Sequence, residues 1–436
     1  MSLELRRRLM SARGLGMSNK EIWYTTSDNT PATLYSNSTY ISKVKSHSSS
    51  HNKDGYFVIK LTEEITETTD LLRDNTNLLA TKYPSSVKTI SANAYYNCYS
   101  TFKTGASSLY IQEGIEKIMA NAFYNGQFIV TMHFPSTLMQ IDITAFDKTT
   151  RLSNLVLSEA NTYLTLQDGV LYSKDENRNN IISFVPSSLN TNPTILDGVL
   201  QLPASCFKNR SITGITLNEQ LETIGNECFW QTTKLTSISI PNSVKSIGSQ
   251  CFRLSRLQSI HIGSGANITS NFLIEAAYVN EIVVDQSNQY IDSRDNCNAI
   301  IRTSTNTLIS GCQSTVIPNS VNIIGADAFL GTSSLKKIII PDSITQIDGR
   351  AFSGCTSLNT VVLGSGVVSL GHMCFYNCKA ISSFTCKATT PPTIINTNAL
   401  TSIPVDVALY VPAGSIDLYK DATGWSRFTN IQAIQE

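Results

Sequence analysis

The chain has 436 residues, which suits two or three ordinary domains or one elongated array of repeats. Its hydrophobic fraction of 41% is too high for a disordered chain, and no apolar run in it is long enough to span a membrane. Charged residues make up only 15%, compared with about 25% in typical globular chains, and 33 Lys and Arg residues balance 33 Asp and Glu residues. The zero net charge argues against a general nucleic-acid-binding protein, which needs a basic face.

Residues 1–83 form a separate N-terminal region that precedes the repeats. Three arginines at positions 6–8 are not followed by the apolar run of a secretory signal, which leaves an intracellular location open. Residues 21–24 and 55–61 have the composition of strands, and residues 46–52 that of a loop. We expect this region to be a cap that covers the unpaired backbone of the first repeat.

From residue 84 onward, an internal repeat is visible in the sequence. Residues 235–252 and 335–352 both read L-x-x-I-x-I-P-x-S, followed by an apolar return segment that ends in Phe. In a short strand, the first, fourth and sixth positions of L-x-x-I-x-I would point inward, and the third and fifth would point outward. The P-x-S step predicts a turn, because Pro cannot donate to a strand ladder.

An aromatic anchor recurs once in each repeat. Five of the eight intervals between anchors are 22 or 23 residues long. One such coil cannot bury its own apolar edge, so we predict an α/β fold that leans to mostly β: a solenoid of 22–23-residue repeats in one right-handed stack over residues 84–390, with the anchors in a buried ladder. The anchors are Tyr95, Phe123, Phe146, Phe207, Phe229, Phe252, Phe329, Phe352 and Phe375, with Phe272 as a degenerate tenth.

Two segments interrupt this period, near residues 158–200 and 285–316. In the first of them, Asp168-Gly169 precedes an apolar run at 170–172. A polar turn at 174–178 separates this run from a second apolar run at 181–184. This pattern predicts a β-hairpin inserted beside the stack.

Residues 391–436 are predicted to be a C-terminal cap that begins at a Pro-Pro pair. Ser415 would cap a short helix that runs to Thr423 and is ended by Gly424. Trp425 and Phe428 would then lie over the last coil.

Two phrases of the repeat resemble the BspA-like (Treponema-type) leucine-rich repeats of bacteria. They are residues 240–248 (IPNSVKSIG) and 340–347 (IPDSITQI), each closely followed by Cys-Phe or Ala-Phe. Residues 290–301 and 168–172 resemble insertions in Bacteroides-type members, and the resemblance covers roughly residues 84–436. It implies a leucine-rich-repeat solenoid. It also implies a cell-surface or secreted protein that binds host matrix or other bacteria.

The residues His372, Cys374, Cys378 and Cys386 have the types found in zinc sites. In repeat register, however, Cys374 takes the small-residue position before Phe, and Cys378 lies three residues after the same Phe. Cys206, Cys228 and Cys251 share the first position, and Cys98 and Cys355 share the second. Cys is among the most buried residue types. We therefore predict structural, reduced thiols with no metal and no cofactor, although stacked thiols one coil apart could come within disulfide reach.

No catalytic motif stands out in the sequence. The five His residues form no H-E-x-x-H, and neither a G-x-S-x-G elbow nor a phosphate-binding loop is present. No carboxylate pair has a spacing that indicates glycan hydrolysis. We therefore predict no enzymatic activity and no catalytic residues.

The outward strand positions are the predicted binding surface. An exposed apolar ribbon beside a lysine suits a protein partner, whereas the ordinary preference of open sheets for β-branched residues explains the same pattern without one. If the second interruption loops out, Val283, Ile339 and Val362 fall on neighbouring coils. The predicted binding residues are Tyr110, His133, His261, Val283, Lys337, Ile339, Thr360 and Val362.

The predicted function is a non-enzymatic binding or adhesion module that presents an extended sheet face to a protein or glycan on a host or bacterial surface. The solenoid argues for binding, and only the family resemblance supplies adhesion and the host. The alternative is an intracellular or phage-associated structural scaffold, with which reduced thiols and the arginine-rich start agree. No nucleic-acid partner and no membrane span are expected.

Overall fold

The structure is a computed structural model that describes residues 17–98, 108–127, 129–174, 180–186, 189, 191–269, 271–395 and 397–435. The chain divides into two compact units, Met1–Leu196 and Asp197–Glu436, and each is described by itself. The finer boundaries at residues 83 and 390 stay a prediction. In the described part of the chain, no helix has both the length and the apolar character needed to cross a bilayer.

Unit 1 opens with a four-stranded antiparallel sheet in the order β2-β3-β1-β4. The strands predicted at 21–24 and 55–61 are confirmed as β1 and β3. The loop predicted at 46–52 is wrong at its start, because β2 pairs there with the edge of β3 through a register shift. The elements are β1 Glu21–Thr26, a 3-10 helix Ile41–Lys43, β2 Val44–His47, β3 Phe57–Leu61 and β4 Leu78–Lys82.

The segment before β4 satisfies the backbone of the first coil. The amide of Thr68 donates to the carbonyl of Thr89 at 2.8 Å, and the amide of Lys88 donates to Thr66 at 2.9 Å. These are groups that an uncovered first coil would leave unpaired. That this segment belongs to an N-terminal cap stays a prediction.

The coils of unit 1 each contribute strands to two parallel ladders. The long ladder contains the L-x-x-I-x-I strands, β6-β8-β10, and the short ladder contains two-residue strands from the return segment, β5-β7-β9. The strands are β5 Thr89–Ile90, β6 Ser108–Tyr110, β7 Lys117–Ile118, β8 Thr131–Phe134, β9 Gln140–Ile141 and β10 Asn154–Leu157.

The β-hairpin predicted in the first interruption is confirmed. Strands β12 and β13 pair antiparallel, and β11 adds a third strand beside β12. Phe184 on β13 packs against Phe146 with ring centroids 5.0 Å apart, so the insertion is part of the core of unit 1. The strands are β11 Thr165–Gln167, β12 Val170–Lys174 and β13 Asn180–Phe184.

Unit 2 repeats the two-ladder arrangement with two separate long ladders, β16-β18-β19 and β24-β26-β28-β30-β31. All pairings within these long ladders are parallel. The first strands are β14 Gln201–Leu202, β15 Thr223–Ile224, β16 Ser237–Ile240, β17 Ser246–Ile247, β18 Ser259–Ile262 and β19 Glu281–Val284. The later strands are β20 Ile291–Asp292, β21 Ala299–Arg302, β22 Thr307–Gly311, β23 Ile323–Ile324, β24 Lys337–Ile339, β25 Gln346–Ile347, β26 Thr360–Leu363, β27 Ser369–Leu370, β28 Ser383–Cys386, β29 Thr393–Ile394, β30 Ala408–Val411 and β31 Asn430–Ala433. The 3-10 helices of unit 2 are Arg294–Asn296, Thr397–Ala399 and Ala413–Ser415.

The second interruption is built into a short ladder. Its antiparallel strands β20, β21 and β22 continue through a parallel β22–β23 pairing into β25, β27 and β29, which gives one seven-stranded sheet. Residues 299–302 are almost entirely buried, so this insertion supplies core as well as surface.

The predicted aromatic ladder is confirmed within each unit. The rings of Phe229 and Phe252 are stacked with centroids 5.2 Å apart, and those of Phe352 and Phe375 are 5.1 Å apart. Phe272 is fully buried 6.0 Å from Phe252 but is tilted by 60°, as suits a degenerate anchor. The stacking of the Phe229–Phe252 and Phe352–Phe375 pairs adds to the stabilisation that burial of the rings gives.

Each anchor lies in what we call a Phe turn, the five residues from two before to two after the anchor. In the turn around Phe229, Glu227 and Gln231 both have φ of 55°, in the left-handed region. Backbone hydrogen bonds join successive turns, for example Phe229 to the carbonyl of Cys251 at 2.8 Å. The residues two after the anchor, all with positive φ, are Asn97, Asn125, Lys148, Asn209, Gln231, Leu254, Gly331, Gly354 and Asn377.

The C-terminal part of unit 2 contains one short helix, α1 Ile416–Asp421. The predicted extension to Thr423 is too long, and the Ser415 hydroxyl donates to the carbonyl of Thr389 at 2.8 Å instead of capping the helix. The predicted packing is confirmed, because the rings of Trp425 and Phe428 both contact Phe384 of the preceding coil.

Candidate binding surface

The outward column of unit 1 brings two predicted binding residues together with Val156. Tyr110, His133 and Val156 are in register on β6, β8 and β10. The rings of Tyr110 and His133 are stacked, with centroids 3.9 Å apart and an interplanar angle of 8°. Partial burial lowers the pKa of His133, so this imidazole is neutral at pH 7. The column therefore presents an uncharged aromatic patch.

A second outward column lies on the first long ladder of unit 2. Ser239, His261 and Val283 are in register on β16, β18 and β19, and all three are exposed. The residues that directly precede them on the same strands, such as Ile260 and Ile282, are buried. This confirms that side chains alternate between inward and outward along each strand.

The third outward column is the longest. Ile339, Val362, Thr385 and Tyr410 follow one another in register across β24, β26, β28 and β30. Ile339 is 54% exposed, and Val362 is half-buried between its neighbours. We refer to this row as the C-terminal column.

A parallel row of outward residues lies two positions earlier on the same strands. In it, Lys337 pairs with Thr360, and Thr360 pairs with Ser383. Lys337 is exposed and Thr360 is half-buried. The C-terminal column therefore has a lysine at one edge and hydroxyl groups beside it.

The structure does not place Val283 next to Ile339 in one ladder. The free edge of β19 bonds to the insertion: the amide of Val284 donates to the Ser293 hydroxyl at 2.9 Å, and the amide of Ile282 donates to Asn298 at 3.4 Å. The coils of Val283 and Ile339 are joined near their Phe turns, where the amide of Glu275 donates to the carbonyl of Leu330 at 2.9 Å. The condition for one continuous ribbon, an interruption that loops out, is not met, because inserted residues bond to the edge of β19.

Tyr410 is not among the binding residues predicted from the sequence. Residues 408–411 alternate between half-buried and buried, so β30 extends the long ladder into the predicted cap. The alternation Ala408-Leu409-Tyr410-Val411 is the sequence signal that indicates this strand.

All ten cysteines are buried, as their repeat positions predict. Burial raises the pKa of Cys98 and of Cys378 to about 12 each, and raises that of Cys297 to about 11. The sulfurs of Cys206 and Cys228, one coil apart, are 3.4 Å from each other. Thiols with such raised pKa values are weak nucleophiles at neutral pH.

The four residues of zinc-ligand type, which are close in sequence, are divided between the surface and the core. Cys374, Cys378 and Cys386 are buried among apolar side chains, and His372 is exposed. Among the residues that the structure describes, no group of three or more His, Cys, Asp or Glu side chains could hold a metal ion.

We expect the native protein to react slowly with Ellman's reagent at pH 8, because all ten thiols are buried and the reagent cannot reach them. After unfolding in guanidinium without reductant, all ten thiols should titrate. Elemental analysis of the same sample should find no stoichiometric zinc. A thiol count near zero in the unfolded sample, or one zinc per chain, would contradict the assignment of the cysteines as reduced core residues.

Comparison with known proteins shows solved structures of similar repeat proteins. A leucine-rich cell surface protein from Faecalibacterium prausnitzii is 19% identical, with 96% of this chain and 94% of that one covered and a TM-score of 0.47. A leucine-rich repeat protein from Bacteroides ovatus is 17% identical, with 82% and 89% covered and a TM-score of 0.40. The pneumococcal vaccine antigen PcpA is 16% identical, with 80% and 85% covered and a TM-score of 0.42. No curated protein matches the chain.

The family is shown by a sequence model rather than by these structures. The model of the BspA type leucine-rich repeat region matches six copies over residues 32–102, 101–192, 180–301 and 306–408. These matches cover most of the chain, including most of the ladders and Phe turns described above. The chain belongs to the family of BspA-type leucine-rich repeat proteins.

Proposed function

We propose that this protein is a non-enzymatic binding module whose C-terminal column is the contact surface for a protein partner. The observation that carries the proposal is the in-register row of Ile339, Val362, Thr385 and Tyr410 on one five-stranded sheet. Leucine-rich repeats form extended faces suited to protein binding. An apolar residue such as Ile339 that is more than half exposed gains little for folding unless a partner covers it.

The chemistry of the row supports a protein partner. Ile339 and Val362 supply apolar area, Tyr410 supplies an aromatic ring with a polar end, and Lys337 supplies a charge at the edge. An apolar and aromatic centre with a charged rim is the usual composition of protein interfaces. The aromatic patch of Tyr110 and His133 in unit 1 and the row with His261 and Val283 are secondary candidates on the same kind of face.

The double substitution Ile339→Ser with Val362→Ser tests the contact surface. We expect it to weaken binding to a partner at least tenfold, about 1.4 kcal/mol, because it removes the apolar centre. The melting midpoint should move by only a few degrees, as for most surface changes. Binding is measured by surface plasmon resonance on partners selected from purified extracellular matrix proteins and bacterial surface preparations.

Val368→Ser is the matched control, because Val368 is 63% exposed but lies beside a short-ladder strand rather than on the long ladder. It should leave partner binding unchanged. Unchanged affinity in the double variant, with unchanged stability, would remove the C-terminal column as the contact surface. A large loss of stability would show that the two residues act in the core instead.

We further propose that the protein acts at the cell surface or after secretion, in adhesion to host matrix or to another cell. Membership of the BspA-type family supports this location. An antibody against the chain should then label intact source cells, or the chain should be found in the medium. Labelling only after cell lysis would favour the intracellular scaffold instead.

A further inference from the structure

A groove crosses the Phe turns of unit 2, away from the C-terminal column. It has a volume of about 530 Å³ and is lined by residues from five successive coils. The coils are bonded to one another at this place: the amide of Gly331 donates to Ser353 and that of Gly354 donates to Tyr376, both at 2.8 Å. At the ~4.8 Å spacing of hydrogen-bonded strands, five coils give a groove roughly 19 Å long.

The floor of the groove lacks side chains at two adjacent coils. Gly331 and Gly354 occupy the left-handed position two residues after the anchor, where other coils carry Asn, Gln, Lys or Leu. At Gly331 a side chain does not fit, because a Cβ atom would lie 2.4 Å from Cγ of Glu275. At Gly354 it does fit, since the nearest atom is the Cα of Gly331 at 3.4 Å.

The backbone of Gly354 does not require glycine either. Asn377, in the next coil, has φ of 60° at the equivalent position, and Asn tolerates this conformation well. The absent side chain at Gly354 is therefore not demanded by packing or by the turn. Its effect is to keep the floor of the groove open.

The walls of the groove carry exposed aromatic rings. Tyr278 is 50% exposed, Tyr376 is 45% exposed, and Leu254 at one end is 42% exposed. The Arg256 guanidinium lies 5.4 Å from the centre of the Tyr278 ring and helps to fix its position. Two ordered tyrosines on one groove give flat apolar surfaces with polar ends.

The groove has no unbalanced charge. Glu275 is the one ionisable carboxylate among its lining residues, and Arg253 holds it by two bonds, Nε to Oε2 at 2.9 Å and a terminal nitrogen to Oε1 at 3.1 Å. The remaining polar groups include the Ser333 hydroxyl and the Asn377 amide. A charged ligand would therefore find no counter-charge, whereas an uncharged ligand rich in hydroxyl groups would find both apolar and hydrogen-bonding contacts.

A peptide fits this chemistry less well. A peptide that binds by strand addition needs unpaired main-chain groups at a sheet edge. In the groove, the amides of Gly331 and Gly354 already donate to the neighbouring coil. Recognition must come from ring faces and side-chain polar groups, which is how a sugar is held.

We propose that this groove binds a neutral oligosaccharide, with Tyr278 and Tyr376 stacked on sugar rings and Ser333 and Asn377 bonded to sugar hydroxyls. The site is independent of the C-terminal column and of its protein partner. Its ligand is a chain of several uncharged sugar units that lies across the coils.

Binding to the full chain is tested by isothermal titration calorimetry and saturation-transfer NMR with the tetrasaccharides of glucose, mannose, galactose and N-acetylglucosamine. We expect at least one of the four to bind. Tyr278→Ala and Tyr376→Ala should each weaken that binding at least tenfold. Gly354→Asn should abolish it with an unchanged melting midpoint, because the new side chain fills the floor in a backbone conformation that Asn377 already adopts.

Two controls separate this site from the rest of the molecule. Tyr290→Ala removes a tyrosine that is 49% exposed but outside the groove, and it should leave sugar binding unchanged. Ile339→Ser with Val362→Ser should also leave it unchanged, so failure of one site is distinguishable from failure of the other.

The proposal is overturned if none of the four tetrasaccharides binds the native chain, or if binding survives all three groove substitutions. It is also overturned if a peptide selected on the native chain loses binding in Gly354→Asn while no sugar binds. That result would assign the groove to a segment of a protein.

Discussion

Replacing Phe252 with alanine is expected to reduce the free energy of unfolding of unit 2 by about 3–5 kcal/mol, the range for an emptied aromatic site in a core. Phe252 is fully buried, and its ring lies between Phe229 at 5.2 Å and Phe272 at 6.0 Å. Because each coil contacts only its neighbours, the cavity weakens two interfaces at once. Phe229→Ala should have a similar effect, since that ring is stacked on both sides as well.

The measurement is a urea titration followed by tryptophan fluorescence. Trp230 lies in the coil next to Phe252, between Lys208 at 3.9 Å and Arg253 at 4.9 Å from its ring centre, so it reports the unfolding of this part of unit 2. Tyr290→Ala, at an exposed position, should change stability by no more than about 0.5 kcal/mol. A cost below about 1 kcal/mol for Phe252→Ala would mean that the repeat register is wrong.

Trp425→Ala is expected to cost about 3–5 kcal/mol and to expose the end of the core. Trp425 is fully buried and makes edge contacts with Phe384 and Tyr419 at 6.0 and 5.2 Å. Its indole nitrogen also donates to the carbonyl of Pro392 at 2.8 Å, and an unpaired buried carbonyl adds about 1–3 kcal/mol.

Trp425→Phe separates these two contributions, because it keeps an aromatic ring and removes the donor. Hydrogen exchange should show lost protection first in β30 and β31, the last two strands of the long ladder, with the coil of Trp230 affected less. Equal loss of protection throughout unit 2 would contradict a local capping role for Trp425.

Most of the predictions that the structure confirms follow from the repeat. Anchors such as Phe229 and Phe352, the inward Ile positions and the core thiols all follow from one rule, because every coil must bury the same positions against its neighbours. The hairpin of β12 and β13, which is confirmed, was predictable from its turn residues. These features depend on short stretches of sequence, and they are therefore visible without a structure.

The predictions that failed depend on contacts between distant segments. The pairing of Val284 with Ser293 at the edge of β19, and the fusion of β22 with β23, are decided by which inserted backbone groups reach an open edge. Nothing in the local pattern specifies that choice. The same holds for Ser415, whose hydroxyl finds the carbonyl of Thr389 rather than its own helix.

The groove was missed for a different reason. The sequence does indicate the groove: two consecutive coils have Gly two residues after the anchor, at Phe329 and Phe352. The other coils carry a larger residue at this position. The binding residues predicted from the sequence all lie at outward strand positions. The Phe turn has an outward side of its own, formed by residues at positions one and two after the anchor.

The parallel long ladders also determine how each unit responds to force. The hydrogen bonds between β24, β26, β28 and β30 point from coil to coil, so tension applied along the stack loads one set of bonds at a time. Coils would then peel away in sequence at low force, each releasing 23 to 25 residues of extensible chain. A tether of this kind lengthens under load and recovers coil by coil when the load is removed, which would protect a bond made by the face of the solenoid from sudden rupture.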